Sequence, residues 1–297
     1  MQPPPGYRSA ARTDHNKWMR FAFKTSPQNT TWDAMLEVWR AADDIELFES
    51  GWTFDHFYPI GGADPAGPCL EGWTTMTALA QATRRLRMGT LVTGIHYRHP
   101  AVLANMAATL DIISGGRLEL GIGAGWNQQE SGAYGIELGT PKERSDRFEE
   151  ACEVLTGLLG PQPSVTFAGR YYQLTDAMCN PKPVQQPHPP ICIGGSGEKR
   201  TLRTTARFAQ HWNFVGGTPD QFRHSVEVLH QHCADVGRDP AEIMLSAHVQ
   251  FTGDAAETAA TAAALGEAGM ELAIVYLRPP HTAAVLEPLA AALSELA

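Results

Sequence analysis

The sequence lacks any apolar run that approaches the roughly 18 residues needed to span a membrane as a helix. Residues 1–18 contain no apolar segment of the kind found in secretory signals, and their Pro, Arg and Ser content predicts a disordered tail. Basic residues are scarce as well, because 23 lysines and arginines face 32 aspartates and glutamates, for a net charge of −9. These deficits argue against membrane insertion and against nucleic acid as a partner.

Cysteine is also rare in this sequence. The cysteines are odd in number and far apart, and no two of them form a CxxC pair. This pattern is typical of reduced thiols and predicts a cytoplasmic protein. Histidines and carboxylates do not cluster at the predicted strand ends either, so no metal site is expected. The five cysteines are Cys69, Cys152, Cys179, Cys192 and Cys233.

Residues 19–297 show a regular alternation of two patterns. Short apolar runs, typical of strands covered on both faces, are each followed by a segment with helical spacing, and eight such units can be counted. The first helix is predicted over residues 30–50, ended by Gly51, and the second strand over residues 52–57. A single α/β domain with a (β/α)8 TIM-barrel fold follows from this alternation. A doubly wound open sheet is disfavoured, because the first strand is followed by KTSPQNTT and not by a glycine loop.

The alternation is interrupted over about residues 160–190. This Pro-rich segment contains a predicted hairpin around Ala168 and Gly169. Because the alternation resumes at ICIGG, we interpret the segment as an insertion after the fourth unit, over the barrel mouth, and not as a linker between domains.

The motif FDHF places His56 at the C-terminal end of a predicted strand, where TIM barrels carry their active sites. An imidazole titrates near neutral pH, which suits proton transfer to or from a reacting atom. The alternative is a structural histidine that is bonded to the backbone.

The segment GGSGEKR, residues 194–200, is a glycine-rich turn that opens a predicted helix. Backbone N–H groups and the positive end of the helix dipole converge at such a turn, which suits a phosphate. Lys199, Arg200 or Arg203 could add positive charge. The alternative is an ordinary strand-to-helix turn.

The segment GRLELGIGAGWNQQE, residues 116–130, leaves a predicted strand through three glycines, Gly121, Gly123 and Gly125. Glycine lets another group approach the backbone closely. The run therefore indicates either a plain strand-to-helix turn or a flat polar group lying against the chain.

Three segments together resemble the bacterial luciferase-like superfamily, namely FDHF, the run from Arg87 to Glu130 that contains RHP and GAGWN, and PPICIGGSGEKR. Within that superfamily the sequence is most similar to the deazaflavin-dependent branch, whose members use coenzyme F420. The resemblance implies a (β/α)8 barrel, often dimeric, that holds a tricyclic ring in its mouth. A sister branch uses FMN, so FMN is the alternative cofactor.

The resemblance also implies which residues meet the cofactor. One face of the ring would rest on a bulge after the third strand, where the family has a non-proline cis peptide, here Leu91–Val92. The phosphate would lie at the glycine-rich turn, and His56 matches the family histidine close to the reacting centre. The implied cofactor-binding residues are Asp55, Leu91, Val92, Gly94, Gly125, Trp126, Asn127, Gly194, Gly195, Ser196 and Gly197.

The sequence departs from the sugar-phosphate dehydrogenase of that branch at two positions. That enzyme has a glutamate where Trp126 stands and an aromatic residue where Ile60 stands, so glucose-6-phosphate is disfavoured and a hydrophobic or aromatic substrate is expected. Trp126 would line the pocket, the alternative being a core aromatic beneath the insertion. Glu130 is interpreted as a helix-start carboxylate that is bonded to backbone.

These observations predict an oxidoreductase that transfers a hydride between F420 and a small, hydrophobic or aromatic substrate, with His56 as the catalytic residue and a homodimer as the assembly. The alternatives are an FMN-dependent monooxygenase that uses reduced flavin and O2, a cofactor-binding barrel without turnover, and an aldolase-type barrel. The last would need a lysine inside the barrel, and Lys24 is the candidate.

Overall fold

The computed structural model describes residues 19–62 and 64–297, and the predicted tail over residues 1–18 lies outside this part of the chain. Its strands are β1 (Arg20–Thr25), β2 (Phe48–Thr53), β3 (Arg87–Thr90), β4 (Thr93–Gly94), β5 (Leu118–Gly123), β6 (Val165–Ala168), β7 (Gln173–Ala177), β8 (Ile191–Gly194), β9 (His211–Phe214), β10 (Met244–Gln250) and β11 (Leu272–Leu277). Its α-helices are α1 (Trp32–Asp43), α2 (Gly72–Ala82), α3 (Pro100–Ser114), α4 (Gln128–Ala133), α5 (Pro141–Leu159), α6 (Thr201–Phe208), α7 (Pro219–Val236), α8 (Ala255–Glu267) and α9 (Leu286–Leu293).

All strands except β6 and β7 form one closed parallel sheet, in the order β3-β2-β1-β11-β10-β9-β8-β5-β4, and β3 pairs with β5 to close it. Because β3 and β4 are two parts of one interrupted strand, the sheet is an eight-stranded barrel surrounded by helices. The predicted (β/α)8 fold is confirmed.

Successive strand residues pack into two separate apolar layers, as the two faces of a strand require. Phe21 and Phe23 belong to the large core between the sheet and the helices, where Phe23 meets Trp39 of α1 edge-on at 5.3 Å between ring centroids. Ala22 and Trp52 belong to a smaller cluster in the barrel interior. These side chains fill the interior below the strand ends, as is usual in such barrels.

The local sequence sets the bounds of the helices, and α3 illustrates how. His99 accepts a hydrogen bond from the Ala101 N–H, and Pro100 occupies the first turn, where its missing N–H costs nothing. The helix ends at Gly115, which adopts a φ of 68°. Glycine reaches this left-handed conformation without the steric cost of a side chain.

The prediction that the first helix runs to residue 50 and ends at Gly51 is wrong. Helix α1 ends at Asp43, and Gly51 lies inside strand β2. A Cβ atom on Gly51 would lie 2.7 Å from the ring of Trp39 and 2.8 Å from that of Phe23, so this glycine makes room for packing. As a result, Asp55 and His56 lie on the loop that follows β2 and not in the strand.

The segment over residues 160–190 contains an antiparallel hairpin of β6 and β7, with its turn after Ala168 as predicted. The hairpin is tied to α5, because the Glu150 carboxylate accepts hydrogen bonds from the N–H groups of Arg170 and Tyr171, both at 2.8 Å. No residue of this segment lines the cavity described below, within the part of the chain that the structure describes. Its position over the barrel mouth stays a prediction.

Candidate active site

A cavity of about 440 Å³ opens at the C-terminal ends of the barrel strands, the end at which such barrels carry their active sites. All residues predicted for the site line it, except Asp55 and Asn127. The lining residues are Lys24, Phe54, His56, Ile60, Leu91, Val92, Gly94, Tyr97, Gly123, Ala124, Gly125, Trp126, Gly194, Gly195, Ser196, Gly197, Thr201, Asn213, Val215 and His248.

His56 is held in the cavity wall by a buried carboxylate. Its Nδ1 lies 2.7 Å from Oε2 of Glu130, which stands in the first turn of α4. The other oxygen, Oε1, accepts the N–H of Phe57 at 2.6 Å, and the Tyr97 hydroxyl donates to Oε2. The interpretation of Glu130 as a helix-start carboxylate bonded to backbone is confirmed, but the carboxylate also orients the candidate catalytic histidine.

The charge on Glu130 determines which ring nitrogen of His56 carries the hydrogen. Burial opposes ionisation, but the hydrogen bonds from His56, Tyr97 and the Phe57 N–H together lower the pKa of Glu130 below its usual value. An ionised carboxylate only accepts, so the hydrogen of neutral His56 lies on Nδ1. The lone pair on Nε2 is then left to accept a proton from a bound molecule.

Aromatic rings surround the imidazole of His56. Phe54 and Trp126 meet it edge-on, with ring centroids at 5.0 and 5.6 Å. Trp126 is 61% exposed and stands at the rim of the cavity, so the alternative of a core aromatic beneath the insertion is wrong. The predicted pocket position of Trp126 matches where the structure places it.

The bulge between β3 and β4 carries a cis peptide bond at Leu91–Val92, at the position that the family resemblance implies. Val92 lies between two glycines of neighbouring strands. A Cβ atom on Gly123 would be 2.8 Å from one Val92 methyl, and one on Gly194 would be 3.1 Å from the other. Small residues on either side therefore let the bulge project into the cavity.

The three glycines of GRLELGIGAG have protein atoms as their nearest neighbours. A Cβ atom on Gly121 would lie 1.6 Å from the Thr90 carbonyl oxygen, and one on Gly125 would lie 2.3 Å from Nδ1 of His96. Gly125 also has a φ of +84°. The close approach of the β3–β4 segment and His96 thus requires these glycines, and the approach of a bound ring to Gly123 and Gly125, which line the cavity, stays a prediction.

The glycine-rich turn after β8 presents free backbone donors to the cavity. Gly195, with a φ of +119°, donates its N–H to the Asn213 carbonyl, whereas the N–H groups of Ser196 and Gly197 have no hydrogen-bond partner within the described residues. Helix α6 begins only at Thr201, and Arg200 pairs with Asp146 of α5 at 2.7 Å. The donors for an anion are therefore main-chain groups, and Arg200 is already paired with a carboxylate.

Asp55 and Asn127 serve the surrounding structure. Asp55 is buried and forms a two-pronged ion pair with Arg98, which also bonds Glu71 at 2.7 Å. Asn127 caps α4 by accepting the Glu130 N–H at 3.1 Å. Contact of either residue with a cofactor stays a prediction.

The floor of the cavity holds polar groups for which sequence reasoning proposed no role in cofactor binding. Lys24 is buried, and its Nζ donates to the Leu91 carbonyl at 3.0 Å. Asn213 and His248 each keep one buried polar atom, Oδ1 and Nε2, without a hydrogen-bond partner in the described structure. Their position near the ends of barrel strands was the available signal.

The remaining expectations concern metal ligands, cysteines and membrane-spanning helices. No group of three or more potential ligands is placed to hold a metal ion in this part of the chain. The five cysteines are free. Within residues 19–62 and 64–297, no helix combines the length and apolar character that a membrane crossing needs.

The sequence model of a family described as luciferase-like monooxygenase matches residues 19–295. Phthiodiolone/phenolphthiodiolone dimycocerosates ketoreductase of Mycobacterium kansasii is 34% identical over 180 residues, 60% of this chain and 48% of that protein. F420-dependent glucose-6-phosphate dehydrogenase of Amycolatopsis mediterranei is 32% identical over 178 residues, 60% and 52% of the two chains. The matched region spans about half the length of these relatives.

Two solved structures share the fold at low sequence identity. An F420-dependent secondary alcohol dehydrogenase in complex with an F420–acetone adduct has a TM-score of 0.80 at 21% identity, and covers 89% of this chain and 94% of its own. The monooxygenase RslO1 from Streptomyces bottropensis has a TM-score of 0.73 at 20% identity, and covers 93% and 97%. Because the family model covers nearly the whole described chain, the protein belongs to the luciferase-like monooxygenase family.

Proposed function

We propose that the protein is an oxidoreductase that transfers a hydride between coenzyme F420 and a small organic substrate, at a C=C, C=N or carbinol carbon. The observation that carries this proposal is the oriented pair of His56 and Glu130 in the wall of a cavity that also has an unpaired main-chain anion site. The relatives named as F420-dependent support the choice of cofactor.

The cavity fits such a cofactor on features of this chain. The free N–H groups of Ser196 and Gly197 would hold the phosphate, and the bulge at Leu91–Val92 would support one face of the ring. The unpartnered Oδ1 of Asn213 would accept a hydrogen bond from the ring. Bound F420 would supply a two-electron hydride donor or acceptor.

The protein's own chemical contribution is proton transfer at Nε2 of His56. When a substrate carbinol loses its hydride, Nε2 takes the hydroxyl proton as the carbonyl forms, and in the reverse direction it returns the proton. The Glu130 carboxylate keeps the hydrogen on Nδ1 and offsets the positive charge of the imidazolium. His56 lines an open cavity, which argues against a carrier without turnover.

The substrate is proposed to be hydrophobic or aromatic at the end that enters the cavity. The side chains that line it around His56 are mainly apolar or aromatic, namely Phe54, Ile60, Tyr97, Trp126 and Val215. Trp126 offers a flat, accessible face at the rim. No carboxylate lines the cavity among the described residues, so the hydroxyl groups of a sugar phosphate would find no charged acceptor there.

The proposal is tested by binding and turnover with the purified protein. Fluorescence titration should give a dissociation constant for F420 far below that for FMN, and a panel of aromatic and aliphatic secondary alcohols should reduce F420, as followed by its visible absorbance. Tighter binding of FMN, or no F420 turnover with any alcohol, ketone, imine or alkene, would refute it.

The second candidate is an FMN-dependent monooxygenase that works with a separate reductase. The name of the matched family model and the fold shared with RslO1 favour it. Consumption of O2 with reduced FMN, coupled to oxygen insertion into an aromatic substrate, would identify this activity. F420 would then fail to support turnover.

We further propose that residues 19–297 act as one domain in a cytoplasmic homodimer. The free cysteines suit a reducing compartment. Helix α3 exposes Val102, Ile112 and Ile113 by 54%, 39% and 37%, which gives an apolar face that a second copy can cover. Light scattering should report a dimer, and Ile113→Lys should shift it toward monomer; a wild-type monomer would refute the proposal.

A further inference from the structure

The floor of the cavity combines one cation and two hydrogen-bond acceptors. Lys24 of β1 is 7% exposed, lies over the Tyr276 ring at 5.1 Å and donates to the Leu91 carbonyl. In the described part of the chain no carboxylate forms an ion pair with it. A buried ammonium without a counter-ion is costly, and burial lowers the pKa of Lys24 to about 7, so a ligand that carries negative charge would stabilise the protonated form.

A chain of hydrogen bonds from the N-terminal end of the barrel orients the side-chain amide of Asn213. Burial opposes ionisation of Glu119, but Arg87 and His211 lower its pKa to about 2, so the carboxylate accepts from His211 Nδ1 at 3.0 Å. Ser246 Oγ lies 2.6 Å from His211 Nε2 and donates to the Trp212 carbonyl at 3.2 Å. Ser246 Oγ in turn accepts from Asn213 Nδ2 at 2.8 Å. The amide carbonyl, Oδ1, is thereby left as an acceptor.

His248 of β10 provides the second acceptor. Burial and the charge of Lys24 hold the pKa of His248 well below its usual value, so the ring is neutral. A hydrogen bond to the Val215 backbone places the hydrogen on Nδ1, because Nε2 has no partner in the described structure. The cavity therefore offers one cationic donor, at Lys24, and two acceptors, at Asn213 and His248.

We propose that Lys24, Asn213 and His248 form a subsite for the pyrimidinedione edge of the cofactor ring, in which Lys24 offsets the negative charge that reduction adds to that edge. While it carries the charge, this edge has two carbonyl oxygens and one N–H group between them, so an oxygen would meet the ammonium and the N–H group would meet Asn213 Oδ1 or His248 Nε2. Lys24 is tethered to the Leu91 carbonyl of the bulge, and its charge thus lies next to the surface that supports the ring. The inference rests on the proposed function.

The experiment compares Lys24→Gln with wild type. Glutamine keeps a donor for the Leu91 carbonyl but removes the charge, and thermal unfolding checks that the variant folds. Fluorescence titration gives the dissociation constant of oxidised F420, and anaerobic equilibrium dialysis gives that of reduced F420. We expect Lys24→Gln to weaken binding of the reduced form roughly tenfold more than that of the oxidised form. The two-electron potential of bound F420 then falls by about 30 mV.

Two further variants separate this role from a general structural one. Lys182 also donates its Nζ to a main-chain carbonyl, that of Leu158 at 2.8 Å, but does not line the cavity, so Lys182→Gln should change neither constant. Asn213→Leu should weaken the binding of both redox forms of F420 to a similar degree, roughly tenfold.

The outcomes distinguish the inference from the proposed function. Provided that wild type binds F420, two results would refute the subsite while the function stands. In one, Lys24→Gln weakens the binding of both redox forms equally, or of neither. In the other, Asn213→Leu binds F420 as tightly as wild type. If wild type fails to bind F420, the proposed function is refuted and the subsite falls with it.

Discussion

Polar groups inside the barrel differ between its two ends in whether they have bonding partners. At the N-terminal ends of the strands, Glu119 is bonded to both Arg87 and His211, and His211 is bonded in turn to Ser246. At the C-terminal ends, Lys24 forms no ion pair with a described carboxylate, and polar atoms of Asn213 and His248 lack partners within the described residues.

This difference separates stability from function along one axis. A buried polar atom without a partner costs about 1–3 kcal/mol, which a fold tolerates where a ligand later supplies the partner. In TIM barrels the N-terminal end of the strands, here called the closed end, serves stability, and the C-terminal end, here called the open end, carries the active site. Variants at the two ends should therefore change different measured quantities.

The largest expected effect lies at the closed end. Glu119→Ala leaves Arg87 and His211 without their buried carboxylate, and breaking such a pair typically costs about 3–5 kcal/mol of unfolding free energy. Urea denaturation measures this loss. The control is Glu153→Ala, which removes a partly exposed pair with Arg207 and should cost under about 1 kcal/mol. Equal losses in the two variants would contradict the assignment.

The same carboxylate predicts a pH dependence of stability. Its folded pKa of about 2 lies below the usual value of about 4.3, so its contribution is complete above the usual value and is lost as pH falls toward 2. From pH 5 to pH 2 the unfolding free energy of wild type should fall more steeply than that of Glu119→Gln. Parallel slopes would show that Glu119 does not contribute to acid sensitivity.

At the open end, His56→Ala should leave folding intact and reduce turnover. Loss of the proton-transfer group lowers kcat by roughly 10²-fold or more, equivalent to about 2.7 kcal/mol in activation free energy, while F420 affinity is retained. Steady-state kinetics and F420 titration measure the two quantities. His224→Ala, on the exposed face of α7, is the matched control. Unchanged turnover would remove His56 from the mechanism.

Glu130→Gln tests how the histidine is oriented. The amide oxygen can still accept from the Phe57 N–H, but its NH2 group then faces Nδ1 of His56 and favours a hydrogen on Nε2, where the lone pair is needed. We expect kcat to fall roughly tenfold, with F420 affinity unchanged. Tyr97→Phe removes only one donor to the carboxylate and should cost less. A larger loss in Tyr97→Phe would assign the role to the phenol.

The sequence predicted the barrel because apolar alternation is a local pattern that repeats along the chain. It failed at Gly51, because a glycine that ends a helix and a glycine that makes room for Trp39 look alike until the packing partner is known. The expectation that Arg200 could add charge at the phosphate turn did not foresee its pairing with Asp146. That carboxylate stands 54 residues earlier, so no local pattern indicates the pair.

The site was predictable where one segment carries it and obscure where several meet. The family resemblance implied the cis bond at Leu91–Val92, and a continuous motif indicated the glycine-rich turn. The bond between His56 and Glu130 joins residues 74 apart, and no spacing rule indicates it. The roles of Lys24 and Asn213 depend on which strands face each other across the barrel, which the closed sheet alone provides.

The smallest expected effect concerns substrate choice at the rim. Trp126→Leu removes an exposed ring beside His56, and an aromatic contact is worth about 0.5–1.5 kcal/mol, so kcat/KM for aromatic alcohols should fall roughly 2- to 10-fold relative to aliphatic ones. Because His56 and Glu130 are untouched, kcat should change little. Tyr134→Leu removes a similarly exposed ring that does not line the cavity, and it should leave the ratio unchanged. If Trp126→Leu lowers kcat/KM equally for both substrate classes, the ring shapes the position of His56 and does not select the substrate.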